Sequence, residues 1–339
     1  MNFFRYFVRR TLFVMPLLLG ITVVTFLTAN AVPADPINAN LPQNALNNEE
    51  MVEAFRKKWG LDKPLHEQYL TYLGNLLRGD MGISIKTRKP VIEDISRFLP
   101  ATIELATLGI VFGMTLGVSM GLISAVWKDS LLDYIARAVA LIGVSFPVFL
   151  LALIGLTLFY AQWGIAPGPG RLDIIMRPPP TVTGLFTIDA LLDGDWKTFR
   201  NAFSHLILPA MTLALYISGG ISRITRSSLL EVLNQDYIRT ARAKGLRERY
   251  VIRFHGLRNA LIPVVTIIGL SYGNLLVGSI LIESILAYPG IGRYMFRAST
   301  SQDFPAMMGV SLLIAFIYVG VNFVVDILYY FLDPRIRVG

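Results

Sequence analysis

The chain has 339 residues, of which 54% are hydrophobic and 16% charged, with a formal net charge of +8 and no cysteine. Soluble domains carry roughly 25% charged residues, so this composition excludes an ordinary soluble domain and describes a polytopic membrane protein. The basic excess reads as the positive-inside bias of cytoplasmic loops rather than a nucleic-acid footprint, and the lack of cysteine excludes disulfides, thiolate nucleophiles and Cys-ligated metals.

Arg5, Arg9 and Arg10 precede an uncharged run over 11–33, expected to be the first span with its amino terminus held in the cytoplasm. Ala29-Asn30-Ala31 resembles a signal-cleavage site. The run outlasts a signal core of about 7–15 residues, so a retained span is expected. Residues 34–100 mix acids and bases and read as a small water-facing subdomain between spans one and two. Met51, Phe55 and Trp59 recur at helical spacing after Asn47-Asn48 and stop at Gly60. Tyr69, Leu70, Leu73, Leu76 and Leu77 repeat that pattern up to Gly79, residues 82–86 alternate like a short strand, and Val91, Ile92, Ile95 and Phe98 share one face of a further helix before Pro100. The subdomain is either a spacer packed on the spans or a docking surface for an external partner.

Span two is expected over 101–126, with Glu104 near its start, followed by a tight cytoplasmic turn at Lys128-Asp129. Span three covers 134–160 and bends near Ser145-Phe146-Pro147, because a proline inside a span frees a backbone carbonyl. In the outer loop 161–204, Pro167, Pro169 and Pro178-Pro179-Pro180 exclude helix. Its charges, Asp173, Asp189, Asp193 and Asp195 among Arg171, Arg177, Lys197 and Arg200, read as solvated. Span four over 205–222, a basic loop over 223–260, span five over 261–282, span six over 307–332 and a cytoplasmic tail over 333–339 complete a six-span, all-α plan with both termini inside. The basic loop carries nine Arg or Lys against three acids from Arg223 to Arg258, whereas 283–303 has only Arg293 and Arg297 as cations. That asymmetry assigns the basic loop to the cytoplasm.

Catalytic motifs are missing. No G-x-x-x-x-G-K-[ST] loop exists, since Lys86-Thr87 and Lys197-Thr198 follow Ile85 and Trp196, so the chain cannot hold ATP in a phosphate loop. His66, His205 and His255 are scattered and form no H-E-x-x-H, and there is no G-x-S-x-G elbow. An ion-coupled carrier needs ionisable groups at membrane depth, and the centres of the expected spans lack Asp, Glu, Lys and Arg; Asp326, near the inner end of span six, reads as a packing or interface residue rather than a proton carrier. A secondary transporter and a membrane-anchored scaffold are the rival classes. The driving force therefore comes from outside the chain.

The place to receive it is 231–263. Tyr237, Ala241 and Lys244 share one helical face with Ile238 beside them, and Ala241 and Ala243 are small enough for a partner to approach. Gly245 can end the helix in a left-handed conformation, and a second basic helical piece over 246–255 leads back to the membrane at Leu261-Ile262-Pro263. An amphipathic helix lying on anionic lipid would explain the charge as well.

The run Asp236-Tyr237-Ile238-Arg239-Thr240-Ala241-Arg242-Ala243-Lys244-Gly245-Leu246, followed by Asn259-Ala260-Leu261-Ile262-Pro263, resembles the EAA loop of bacterial ABC-importer permeases. It departs at the name-giving acid, where Thr240, or Arg239 depending on alignment, stands. Arg9-Arg10, Pro33-Ala34-Asp35-Pro36, Leu61-Asp62-Lys63-Pro64, 79–84, 288–292, Asp303-Phe304-Pro305 and Asp333-Pro334-Arg335-Ile336-Arg337 are similar to the dipeptide/oligopeptide/nickel branch, and most of all to B-type dipeptide permeases. The resemblance implies a type I importer fold and a non-catalytic subunit forming half of a translocation pathway. Asp236, Tyr237, Ile238, Arg239, Thr240, Ala241, Lys244, Gly245 and Leu246 would then form the coupling helix. The implied partners are a homologous C-type permease, two ATPase subunits that use ATP and Mg, and an extracytoplasmic peptide-binding protein, with no cofactor bound by this chain. Dipeptides are the expected cargo, with longer peptides, nickel chelates, opines, glutathione and oligosaccharides as alternatives within the branch.

Overall fold

The computed structural model describes residues 3–31, 37, 41, 43–59 and 63–332. Pro33-Ala34-Asp35-Pro36, the Gly60 stop, Leu61-Asp62 and the tail from Asp333 lie outside the described residues. The first apolar run forms α1 (Phe3–Ala31). After it, α2 (Glu49–Trp59) starts where the Asn48 side chain accepts the Glu50 and Met51 N–H groups at 3.0 and 3.3 Å, so a capping oxygen satisfies donors that have no helical partner. Helix α3 (Leu65–Leu77) ends at Gly79, whose φ of +79° allows the Gly79 and Asp80 N–H groups to turn back onto Leu76 and Asn75.

Among the described residues there is no strand. Residues 82–86 make only an isolated bridge between Ile83 and Pro90. The alternation misleads because the Asp303 carboxylate gathers the Ser84 hydroxyl (2.5 Å) and the Lys86 N–H (3.1 Å) into a tight turn. Beyond it α4 runs unbroken over Val91–Val126, through Pro100, where a boundary between subdomain and span was expected. A proline removes one backbone hydrogen bond, and long apolar helices tolerate the loss when neighbours pack around it.

Helix α5 (Leu131–Ser145) and α6 (Val148–Gly155, continued by wide turns over Leu156–Gln162) meet at 104°. The break is at Phe146-Pro147, with Phe146 extended as a residue before proline must be. A proline-rich stretch then leads to α7 (Phe186–Leu192) and α8 (Trp196–Leu233), so helix returns within the 161–204 loop once its prolines are passed. The short α9 (Asp236–Ala243) precedes a run that starts at Glu248, widens over Val251–Leu257 and becomes α10 (Arg258–Gly278). The chain finishes with α11 (Ile280–Ile285), α12 (Ile291–Thr300) and α13 (Phe304–Leu332).

Among the described residues, five helical segments, containing α1, α4, α8, α10 and α13, are long and apolar enough to cross a bilayer, and α5–α6 taken as one broken span makes six. The helices run back and forth, so 127–130, 234–257 and the start of α1 gather at one end, here the basic end. The turns before α4, the 161–195 segment and α11–α12 gather at the far end.

Helices α4 and α8 form the axis. Gly109, Gly113, Gly117 and Gly121 recur every fourth residue along α4 and face Leu213, Ile217, Ile221 and Thr225 of α8. Residues four apart share a helix face, and small residues let membrane helices approach closely. A Cβ on Gly117 would lie 2.7 Å from the Ile221 Cβ and 2.8 Å from the Ser218 carbonyl oxygen. Around this seam Leu105, Leu206, Leu213, Ile221, Val264, Leu275 and Ile282 form the main core. α1 flanks α13 through Phe7 on Phe323 and an ion pair of Arg10 with Asp326.

Candidate functional site

Helix α9 hangs between the ends of two long helices at the basic end. Ile238 is fully buried and Ala241 is 7% exposed, and with Leu233 at the end of α8 they pack on Val251, at the foot of α10. The helix stops by glycine geometry: Gly245 has φ +75°, its N–H reaches the Arg242 carbonyl at 2.9 Å, and the Leu246 N–H reaches Ala241 at 3.4 Å. This pair of reverse bonds satisfies carbonyls that a helix end leaves open. Nothing lies within 4 Å of where a Gly245 Cβ would stand, so the backbone angle, not space, calls for glycine.

The remaining contacts fasten α9 to the helical run beginning at Glu248. Arg242 donates to Glu248 through Nε (3.1 Å) and Nη2 (2.7 Å), and that fork raises the Arg242 pKa above its ordinary value. Asn259 donates to the Tyr237 hydroxyl at 2.8 Å, tying α9 to the first turn of α10. Two further contacts lie within α9 itself: Arg239 pairs with Asp236 at 3.2 Å, and the Thr240 hydroxyl donates to the Asp236 carbonyl at 3.0 Å.

The nine residues expected to couple thus fall into two sets. Asp236, Tyr237, Arg239, Thr240, Lys244, Gly245 and Leu246 are exposed; Ile238 and Ala241 point into the chain's own core. The expectation that small Ala241 leaves room for a partner is corrected: its methyl group is taken by Leu233, Ile238 and Val251, so its size serves the joint between α8 and α10. The second basic piece also differs. It begins at Glu248, not Leu246, and continues into α10 without a break, because Leu246 and Arg247 complete the turn that the Gly245 cap begins. Beside it Tyr250 and Phe254, both about half exposed, pack with their rings tilted at 32° and their centroids 4.6 Å apart, and widen the open face.

Behind α9 the packing is continuous. Leu229, Ala260 and Ala125 form a cluster that joins the basic ends of α8, α10 and α4. Next to it the fully buried Asp133 carboxylate takes the Ser124 hydroxyl, Arg137 Nε at 3.0 Å and Arg226 Nη2 at 3.3 Å, while Arg226 Nε bonds Ser124 Oγ at 2.9 Å. Contiguous packing and charge pairing of this kind are what carry a displacement from one element to the next.

The far end holds charges that the sequence presents as loop charges. Buried Arg171 donates to Glu104 at 2.6 and 3.1 Å, lies 3.6 Å over the Phe186 ring, and shares Glu104 with the Thr187 hydroxyl (2.6 Å) and the Tyr288 hydroxyl (3.2 Å). Buried Glu283 accepts the Thr102 and Ser279 hydroxyls, each at 2.7 Å, and the Arg293 N–H at 3.0 Å. Asp189 is buried too and gathers the N–H groups of Val182, Thr183 and Gly184. Burial raises its pKa, but the Thr183 hydroxyl and the three N–H groups outweigh that and hold it below the ordinary carboxylate value. The reading of Arg171 and Asp189 as solvated is therefore corrected: their partners lie at Glu104 and within the folded loop.

Residues 113–338 match the family described as binding-protein-dependent transport system inner membrane component, and residues 3–106 match its amino-terminal counterpart. A probable D,D-dipeptide transport system permease protein of Escherichia coli (strain K12) is 44% identical over 320 residues, covering 94% of each chain. A dipeptide transport system permease protein of Alkalihalophilus pseudofirmus is 41% identical and covers 98% of this chain and 99% of its own. The Escherichia coli (strain K12) dipeptide transport system permease protein is 39% identical over 335 residues, 98% of each. Among solved structures, an amino acid ABC transporter crystallised with histidines aligns over 68% of this chain and 91% of its own, at 14% identity and a TM-score of 0.49. The helical plan of the described residues, with five spans or six if the broken pair is one, agrees with the family match, and the chain belongs to the family of binding-protein-dependent transport system inner membrane components.

Proposed function

We propose that this chain is one of two permease subunits of an ATP-driven importer of dipeptides and short peptides, and that α9 is the helix through which separate ATPase subunits move it. The observation that carries the coupling role is the division of α9 into a gripped face and an open face. Ile238 and Ala241 fix it to Leu233 of α8 and to Val251 before α10, and the Gly245 cap ends it, while Tyr237, Arg239, Lys244 and Leu246 stay exposed for a partner. The peptide assignment is supported by relatives at 39–44% identity that carry dipeptide transport in their names.

In this reading the basic end faces the cytoplasm with both termini, as the loop charges favour. A homologous C-type permease completes the pathway, an external binding protein delivers the peptide to the far end, and two ATPases bind ATP and Mg. When the ATPases close, α9 follows the groove that holds it. The rigid link through Leu233, Val251 and the Asp133 cluster turns that movement into rearrangement of α4, α8 and α10.

The test is uncoupling in the reconstituted importer. Lys244→Glu with Leu246→Asp, both on the open face, should lower peptide-stimulated ATP hydrolysis at least about tenfold while the subunits still co-purify. Stimulation equal to the wild type would remove the coupling role from α9. Ala241→Asp should instead reduce the amount of folded chain, since it puts an unpaired carboxylate against Val251.

A further inference from the structure

A cleft of about 110 Å³ opens at the far end between the 84–89 turn and α12, with Lys86, Arg293 and Arg297 at its walls and Phe98 and Tyr294 behind them. Both cationic elements lie outside the apolar spans. The two aromatic rings stack at 5.1 Å and give the cleft a rigid back.

Four carboxylates, Asp303, Asp94, Glu93 and Glu283, are near, and none forms an ion pair with these cations; Glu283 meets these residues only at the backbone N–H of Arg293, at 3.0 Å. Asp303 is 1% exposed and takes the Ser84 hydroxyl and the Lys86 and Ala306 N–H groups. Asp94 is 2% exposed and takes the Thr87 and Tyr294 hydroxyls at 2.5 and 3.0 Å. Glu93, on the same turn of α4, is paired with Lys89. Among the described residues the Lys86 ammonium and the Arg297 guanidinium therefore have no acidic partner. Arg293 is held by the Ala287 carbonyl at 2.5 Å and sits one helical turn from Arg297. Like charges at that spacing repel, and burial together with Arg297 pulls the Arg293 pKa below its ordinary value.

Topology gives no reason for these cations. The positive-inside bias depletes Lys and Arg on the outer side, yet the only two cations of 283–303 both line this one cleft, together with Lys86 from a distant turn. A preformed cationic recess with a planar guanidinium pair matches a carboxylate.

We propose that this cleft is a carboxylate-binding site that receives an acidic side chain of the external binding protein, fixing where that protein docks on the far end. The proposal rests on the importer reading, because only a binding-protein-dependent permease has such a partner. An acid entering the cleft relieves the Arg293–Arg297 repulsion without displacing any existing ion pair, so docking is favoured by charge and specific in register.

The experiment uses the full importer in liposomes and titrates the peptide-loaded binding protein against ATP hydrolysis. In Lys86→Glu/Arg297→Glu the half-saturating concentration of binding protein should rise at least about tenfold, and its increase with salt, present in the wild type, should flatten. Arg297→Gln provides a milder version in case the double reversal does not assemble, with a smaller rise of the same kind. If both variants keep the wild-type half-saturation, the cleft is not the docking site. If half-saturation is unchanged but the transport rate falls, the carboxylate belongs to the peptide, and the proposal is overturned. It is overturned as well if the effect of Arg297→Gln appears only in vesicles containing anionic lipid, which would assign the cleft to a lipid phosphate. If no binding protein stimulates even the wild-type complex, the importer reading itself falls and takes the cleft's occupant with it.

Discussion

Single residues decide how the far-end loop is held. Asp189 satisfies three N–H groups and one hydroxyl from 182–184, and its carboxyl is kept below the ordinary carboxylate pKa. A folded pKa below the unfolded one means that the stabilisation is fully present above the unfolded value, about 3.9, and is lost as pH falls through the folded one. Hydrogen exchange at 182–189, corrected for intrinsic rates, should therefore show protection at pH 6 that declines below about pH 4. Asp189→Asn should be less protected at pH 6 and lose the acid dependence, and a wild-type loop equally protected at pH 3 would contradict this role. The sequence displays such charges without their partners. Glu104 and Arg171 are 67 positions apart, and Glu104 and Tyr288 are 184 apart. Local composition around Arg171 is that of any polar loop, so only the fold reveals that its charge is buried.

At the scale of elements, periodicity and punctuation made most helices legible. Asn48 caps α2 and Gly79 ends α3, as their residue types lead one to expect, and the bend at Phe146-Pro147 follows from the proline. Boundaries placed by charge were less reliable. Arg223 and Arg226 mark where the apolar run ends, but α8 continues to Leu233, because Arg226 finds Asp133 and Ser124 while Leu229 is buried one turn on. Charge ends the apolar stretch; it does not end the helix. The glycine seam between α4 and α8 was readable in principle as a four-residue period of small residues, though a hydrophobicity pattern conceals it. Gly117→Val should cost about 1–3 kcal/mol by overpacking against Ile221 and Ser218, seen as a lower midpoint of thermal unfolding in detergent. Gly220 has nothing within 4 Å of a Cβ, so Gly220→Ala should leave that midpoint unchanged or raise it slightly, and equal losses at both sites would rule out the seam as the cause.

At the scale of the whole molecule, the proposed function makes the chain a lever moved by separate ATPase subunits. The family was legible because ordered short motifs run along nearly the whole chain, from Arg9-Arg10 to the tail, and the matched regions cover 3–106 and 113–338. What the sequence concealed was which face of α9 is free, since Ile238 and Ala241 are as compatible with a partner's groove as with Leu233 and Val251. The central claim is that the open face of α9 touches an ATPase subunit. The chain has no cysteine, so Lys244→Cys introduces a unique thiol at that face. In the reconstituted importer carrying single cysteines along the groove of the ATPase, oxidation should give a disulfide-linked permease–ATPase product whose ATP hydrolysis stops and returns on reduction. Absence of that product from Lys244→Cys and Arg239→Cys, in a complex that still transports, would contradict the account.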